Sequence, residues 1–175
     1  MSASLILGGV KSGKSRLAEQ QALDSGLTVS YIATAHAGDK EMQQRISHHQ
    51  QSRPSHWQTI EEPLHLAAMI QQHNHPKHCV LVDCLTLWLT NLLLHQDDKL
   101  LKSEVDALVN TIKDLDCTLI MVSNETNMGI VPVGELSRRY CDEIGLLHQQ
   151  LAQQCDSVIL TIAGLPHILK GQLHD

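Results

Sequence analysis

Phenylalanine is absent from the 175-residue chain, which holds two Trp and two Tyr and is 2% aromatic overall. There is no C-x-x-C pair either. Cys79, Cys84, Cys117, Cys141 and Cys155 form an odd, widely spaced set, unlike a disulfide framework or a structural zinc site, and read as reduced thiols that fill core. No apolar run reaches the roughly 20 residues of a bilayer span. The longest, residues 84–94, is interrupted by Thr86, Thr90 and Asn91. No basic region precedes Leu5-Ile6-Leu7, and that run is too short for a signal peptide, so the expected compartment is the cytoplasm. Positive charge is also in deficit. With 13 Lys+Arg against 19 Asp+Glu the net charge is −6, which repels a polyanion and argues against nucleic acid as the main partner.

What is present describes a folded chain. Hydrophobic residues make up 42% and charged residues 18%, a balance foreign to disordered and membrane proteins, and the length suits one domain with a single core. Short apolar runs alternate with segments of helical period. Strands are expected at residues 4–7, 28–33, 79–83, 118–123 and 157–162, and helices at 13–23, 40–51, 63–72, 85–95, 103–115 and 134–154. Right-handed crossovers then put helices on both faces of a mostly parallel sheet, an α/β three-layer sandwich.

The strongest motif is Gly8-Gly9-Val10-Lys11-Ser12-Gly13-Lys14-Ser15, a complete G-x-x-x-x-G-K-[ST] string directly after an apolar run and directly before a helical pattern. Glycines let backbone N–H groups turn inward around phosphate oxygens, and a helix starting near Gly13 aims its positive end at them. Lys14 is expected on the β/γ-phosphates and Ser15 on Mg²⁺. The second Mg²⁺ ligand should be a carboxylate ending a neighbouring strand, which Asp83 provides after Cys79-Val80-Leu81-Val82. The alternative role for Asp83 is the N-cap of the helix beginning at Leu85. No Asn-Lys-x-Asp string for guanine occurs.

Twelve histidines invite a metal site, yet His73, His75 and His78 lie in an apparent surface loop without helical i,i+4 spacing or nearby carboxylates. His48 and His49 fall within a helical pattern. At about 100° per residue, Met42, Ile46 and His49 share one face while His48 points to the side of Arg45 and Gln44. His49 therefore reads as packed and His48 as available. An available imidazole is either a solvated surface group or, beside a nucleotide, a nucleophile able to form an N–P bond, with Arg45 or Arg53 neutralising developing charge.

The resemblance settles that choice as an expectation. Gly8 to Arg16, Tyr31-Ile32-Ala33-Thr34, Arg45-Ile46-Ser47-His48-His49, Arg53-Pro54-Ser55-His56-Trp57, Thr59-Ile60-Glu61-Glu62-Pro63, Asp83-Cys84-Leu85-Thr86, and Ser123-Asn124-Glu125 leading to Met128-Gly129-Ile130-Val131-Pro132 carry it. On these segments the chain resembles, nearly end to end, the bifunctional adenosylcobinamide kinase / adenosylcobinamide-phosphate guanylyltransferase family of cobalamin synthesis. The resemblance implies a RecA-like P-loop domain and two reactions. ATP or GTP phosphorylates adenosylcobinamide, and GMP passes from GTP through a guanylylated His48 to adenosylcobinamide phosphate. It implies nucleotide contacts at Gly8 to Ser15, at Ala33, Thr34 and Ala35, at His49, Gln50, Gln51 and Ser52, at Glu61 or Glu62, and at Asp83. It further implies a homotrimer with substrate sites between subunits. A plain P-loop kinase with an inert His48, or a nucleotide-binding switch, are the competing classes.

The chain departs from the family pattern at three places. Asn127 stands where a glycine is usual, and as the non-glycine residue most tolerant of positive φ it is expected to preserve the turn. Cys141 replaces a common arginine and His148 a common asparagine. Glu125, at a strand's C-terminal end, either orients the acceptor or a metal, or caps a loop turn. Trp57 is equally a ring-stacking group or a core anchor. Arg138 and Arg139 either contact phosphate or solvate a helix.

Overall fold

Leu5-Ile6-Leu7, Val80-Leu81-Val82 and Leu119-Ile120-Met121-Val122 leave no polar face to turn toward water, so their strands belong in a sheet covered on both sides. The computed structural model describes residues 2–35 and 54–172. Along the chain run β1 (Ser2–Gly8), α1 (Lys14–Asp24), β2 (Thr28–Ala33), β3 (Gln58–Glu61), α2 (Leu66–Gln72), β4 (His78–Asp83), α3 (Leu85–Leu94), α4 (Asp98–Thr111), β5 (Thr118–Asn124), α5 (Glu135–Gln154), β6 (Ser157–Ile162) and β7 (Leu165–Lys170). The seven strands form one sheet in the order β3-β2-β4-β5-β1-β6-β7. All neighbours are parallel except β6 and β7.

Alternate residues of each central strand serve opposite layers. Leu5, Leu7, Val80, Val82, Leu119 and Met121 pack in one cluster with Leu66 and Ile70 of α2, Leu85, Trp88 and Leu92 of α3, Leu108 of α4 and Ile144 and Leu151 of α5. Ile6, Leu81, Ile120 and Val122 face the other way, against Ala18 and Ala22 of α1 and the buried Trp57. The α/β three-layer expectation holds, and Trp57 is a core anchor.

Two strands escape the sequence pattern. β3 is Gln-Thr-Ile-Glu, nearly all polar and lying at the sheet's edge, so it has no apolar run to signal it. β7 is exposed throughout, and it pairs back on β6 through a two-residue turn in which Ala163 (φ 52°) and Gly164 (φ 80°) both have positive φ, as a hairpin of matching twist requires. Two helix starts also shift. α2 begins at Leu66 rather than residue 63, because the Glu62 carboxylate accepts from the backbone N–H groups of Leu64 and His65 and forms a turn ahead of the helix. α4 begins five residues before the expected Ser103, where Asp97 accepts from the N–H groups of Lys99 and Leu100 as its N-cap. The expected helix at 40–51 lies outside the described residues.

Trp88, fully buried on α3, also donates its indole N–H to the Leu64 carbonyl at 2.8 Å. Truncation would open a cavity and orphan that carbonyl. Trp88→Ala should lower the unfolding free energy by about 3–5 kcal/mol, read from urea titrations followed by circular dichroism.

Candidate active site

The C-terminal ends of the parallel strands bring the predicted residues to one edge. Gly8 is opposite Asn124, and Ala33 is opposite both Glu61 and Asp83. Between β1 and α1, the loop from Gly8 to Ser15 is tightly built. A side chain on Gly8 would come within 2.4 Å of Ser12 Oγ and 2.7 Å of the Thr161 carbonyl. Gly13 has φ 100° and precedes the first turn of α1, with the β6–β7 turn against it, since Gly164 donates its N–H to the Ser12 carbonyl at 2.9 Å. Gly9 faces open space.

Lys14 is buried within this loop and its ammonium donates to the Gly9 carbonyl at 2.9 Å. Burial lowers its pKa, partly offset by Cys84 and Asp83. The half-buried Ser15 lies one residue on, in the first turn of α1. At the end of β4, Asp83 accepts from the Tyr31 hydroxyl at 2.9 Å. The N-cap position of α3 is Cys84, and no side chain caps it, so the alternative capping role for Asp83 does not occur. The Cys84 thiol is pushed up to about 11 by burial and by Asp83, which keeps it protonated.

Thr34 is fully buried and spends its hydroxyl on Cys84, donating to the carbonyl at 2.6 Å and accepting from the N–H at 2.9 Å. Ala35 is half-buried beside it. Glu61 is exposed at the end of β3, whereas the Glu62 carboxylate is committed to the turn before α2. His48, His49, Gln50, Gln51 and Ser52 lie outside the described residues.

Among the described residues no three His, Cys, Asp or Glu side chains converge on a metal position. The Mg²⁺ expected here needs no such cage, because phosphate oxygens and water complete its shell. A serine hydroxyl and a carboxylate are the hard oxygen donors it takes. His73, His75 and His78 lie at the opposite end of the sheet. His73 Nδ1 and His78 Nε2 both bond the Ser30 hydroxyl, at 3.2 and 2.9 Å.

Beyond β5, Glu125 donates its backbone N–H to the Gly8 carbonyl at 3.0 Å, so its residue adjoins the phosphate loop. His148, buried on α5, bonds the Ser123 hydroxyl through Nε2 at 2.8 Å and presents Nδ1 to Glu125 Oε2 at 3.7 Å. Asn127 is not at positive φ, contrary to expectation. Its side chain instead donates to the Cys141 carbonyl at 2.8 Å. Arg139 pairs with Asp98, and Arg138 donates to the Val133 carbonyl. Neither touches the phosphate loop in these contacts.

The family model described as cobinamide kinase / cobinamide phosphate guanyltransferase matches residues 4–169. The chain belongs to this family, whose members are transferases. It is 58% identical over 168 residues, 96% of this chain and 97% of the relative, to the bifunctional adenosylcobalamin biosynthesis protein CobP of Pseudomonas aeruginosa. It is 37% identical over 174 residues, covering 92% and 96%, to the bifunctional CobU of Escherichia coli K12. Among solved structures, RadB recombinase superposes with TM-score 0.53 at 15% identity, covering 91% of this chain and 73% of that one. A Pyrococcus horikoshii protein does so with TM-score 0.57 at 11%, covering 98% and 87%. These two likenesses show the RecA-like fold.

Sequence reasoning missed the Ser123–His148–Glu125 connection. Cys141, Gly145 and His148 do share one helical face by spacing, but nothing in the sequence says that the loop after β5 lies on that face. Burial holds the His148 imidazole below its ordinary pKa, with Glu125 opposing, and burial followed by the charges of His73 and His75 does the same at His78. The unfolded chain takes these protons near pH 6.5 while the folded chain refuses them until lower pH, so stability falls as pH drops below about 6.5. His65, raised by its hydrogen bond to Glu104, acts in the opposite sense but is exposed. Denaturation midpoints at about pH 7 and about pH 5.5 should therefore differ, and less so in His148→Asn.

Proposed function

We propose that this chain phosphorylates adenosylcobinamide with ATP or GTP, then transfers GMP from GTP to adenosylcobinamide phosphate through a guanylylated His48. The observation that carries the reading is the phosphate loop with its inward Lys14 in a chain that the family model matches almost throughout. The relatives named as bifunctional support both reactions. One domain serves both, in the cytoplasm.

The triphosphate tail displaces the Lys14 ammonium from the Gly9 carbonyl and takes the loop's inward N–H groups. Ser15 and Asp83 would hold Mg²⁺, which supplies charge neutralisation on the phosphates. Nucleotide contacts at Ala33 to Ala35, His49 to Ser52, Glu61 or Glu62, and Asp83 follow the family pattern. The Thr34 hydroxyl is already spent on Cys84 and Glu62 Oε1 on the turn before α2, which leaves Glu61 the freer of the two carboxylates. In the kinase step an acceptor hydroxyl attacks the γ-phosphorus. In the second reaction a His48 nitrogen attacks the α-phosphorus, pyrophosphate leaves, and a phosphate oxygen of the acceptor then displaces His48. A homotrimer is part of the same reading, supported by the exposed apolar Ile130, Val131 and Val133, which a neighbouring subunit would cover.

After incubation with Mg²⁺ and GTP, the intact mass of the protein should show a GMP adduct that is absent from His48→Ala. That variant should keep the kinase step. Equal loss or equal survival of both activities would sink the division of labour. Lys14→Ala should slow both steps by about 100-fold or more in steady-state assays.

A further inference from the structure

Glu125 is hydrogen-bonded through its backbone to the first residue of the phosphate loop, and its position is fixed from three directions. Its N–H is bonded to the Gly8 carbonyl at 3.0 Å. Its Oε1 accepts from the Asn127 N–H at 2.8 Å, and its Oε2 lies 3.7 Å from His148 Nδ1. Asn127 in turn donates to the Cys141 carbonyl, and a side chain at Gly145 would come within 2.9 Å of that Asn127 amide. Positions 141, 145 and 148 are successive on one face of α5, so Glu125 and Asn127, at the start of the loop after β5, are held against that face. A carboxylate only accepts when ionised, so the His148 proton belongs on Nδ1, and Nε2 then accepts from the Ser123 hydroxyl. Serine, histidine and glutamate in a row resemble a hydrolytic triad, but Ser123 is fully buried within β5 and no substrate reaches it. The Glu125 side chain is the accessible end of the row, at 17% exposure. Its Oε1 accepts one hydrogen bond and its Oε2 faces His148 Nδ1 at 3.7 Å, so acceptor positions remain for a ligand.

We propose that Glu125 is the general base of the kinase step and that His148, braced on Ser123, is the positioning residue that aims its carboxylate at the acceptor hydroxyl. This rests on the kinase reading above. The acceptor O–H proton passes to a Glu125 oxygen as the hydroxyl oxygen bonds to the γ-phosphorus. The bond from that phosphorus to the β,γ-bridging oxygen breaks, and the nucleoside diphosphate leaves with the electron pair. Burial keeps the His148 imidazole uncharged near neutral pH, so it orients the carboxylate without competing for the proton. Guanylyl transfer attacks the α-phosphorus with a ring nitrogen and then a phosphate oxygen, neither of which carries a proton to remove. It has no need of this base.

The test measures both reactions of the full-length protein with adenosylcobinamide and with adenosylcobinamide phosphate supplied separately, together with thermal melting of each variant. Glu125→Gln should lower the kinase kcat by about 100-fold, leave the nucleotide KM within about threefold, and abolish the acid limb of the kinase pH profile. Guanylyl transfer should fall by less than about threefold. His148→Ala should lower the kinase kcat by about tenfold while guanylyl transfer falls by less than about threefold, and added to Glu125→Gln it should cost less than about a further twofold. A fully active Glu125→Gln kinase, or equal losses in both reactions, overturns the base assignment. A His148→Ala variant that slows both reactions equally, or that slows Glu125→Gln by about a further tenfold, overturns the positioning role. Absence of kinase activity in the unmutated protein instead overturns the functional reading, and the inference with it.

Discussion

At Gly8 there is no room for a side chain. The space one would fill holds Ser12 Oγ, Thr161 Oγ1 and the Thr161 carbonyl, while the Gly8 carbonyl itself receives the Glu125 N–H. One residue thus joins the phosphate loop to the strands on either side of β1. Thr161 also donates its hydroxyl to the Leu7 carbonyl at 2.8 Å, so β6 supports the turn out of β1 as well as pairing with it. Any larger residue at position 8 would part these segments together, because the nearest atoms include backbone, which does not swing away as a side-chain tip does.

The same crowding governs the electrostatics. Lys14 loses solvent on entering the loop, and the cost is partly offset by the Gly9 carbonyl and by the nearby Asp83. A cation held this way, in a protein of net charge −6, concentrates positive potential where open space begins at Gly9. The acidic remainder of the chain discourages extended polyanions, while this local cation favours the small nucleotide proposed as substrate.

The buried strands were legible in the sequence because a strand covered on both faces must be apolar at every position. Leu5-Ile6-Leu7 and Val80-Leu81-Val82 satisfy that condition, and the phosphate loop carries its own spacing. β3 and β7 were not legible, since edge strands with exposed side chains owe their existence to backbone pairing rather than to an apolar pattern, and an edge position even admits Pro166 in β7. The site divides the same way. Gly8 to Ser15 and Asp83 follow from motif and strand end. That Thr34 and Glu62 are consumed in local hydrogen bonds, and that His148 reaches across to Ser123 and Glu125, depend on how α5 and the loops settle on the sheet. Such contacts, 25 residues apart along the chain in the case of His148 and Ser123, leave no periodic trace.

The edge is therefore assembled from two sides that meet at β5 and β1. β2, β3 and β4 contribute Ala33 to Ala35, Glu61 and Asp83, and these are tied together by Thr34, by Tyr31 and by Asn91, which donates to the Thr34 and Pro63 carbonyls. The other side draws on later chain, where the β6–β7 turn holds the phosphate loop and α5 holds the loop of Glu125. β7 is exposed along its length and is anchored at its far end by Lys170, which donates to the Ala152 and Gln153 carbonyls at the end of α5. Loosening of the His148 and Gly164 contacts would thus reach Glu125 and the phosphate loop directly, while Ile144, Leu147 and Leu151 kept α5 in the apolar cluster. Local loosening of this kind costs less than global unfolding. Geometry at the edge consequently fails before the fold does, and a residue such as His148 can matter to the chemistry far more than to stability.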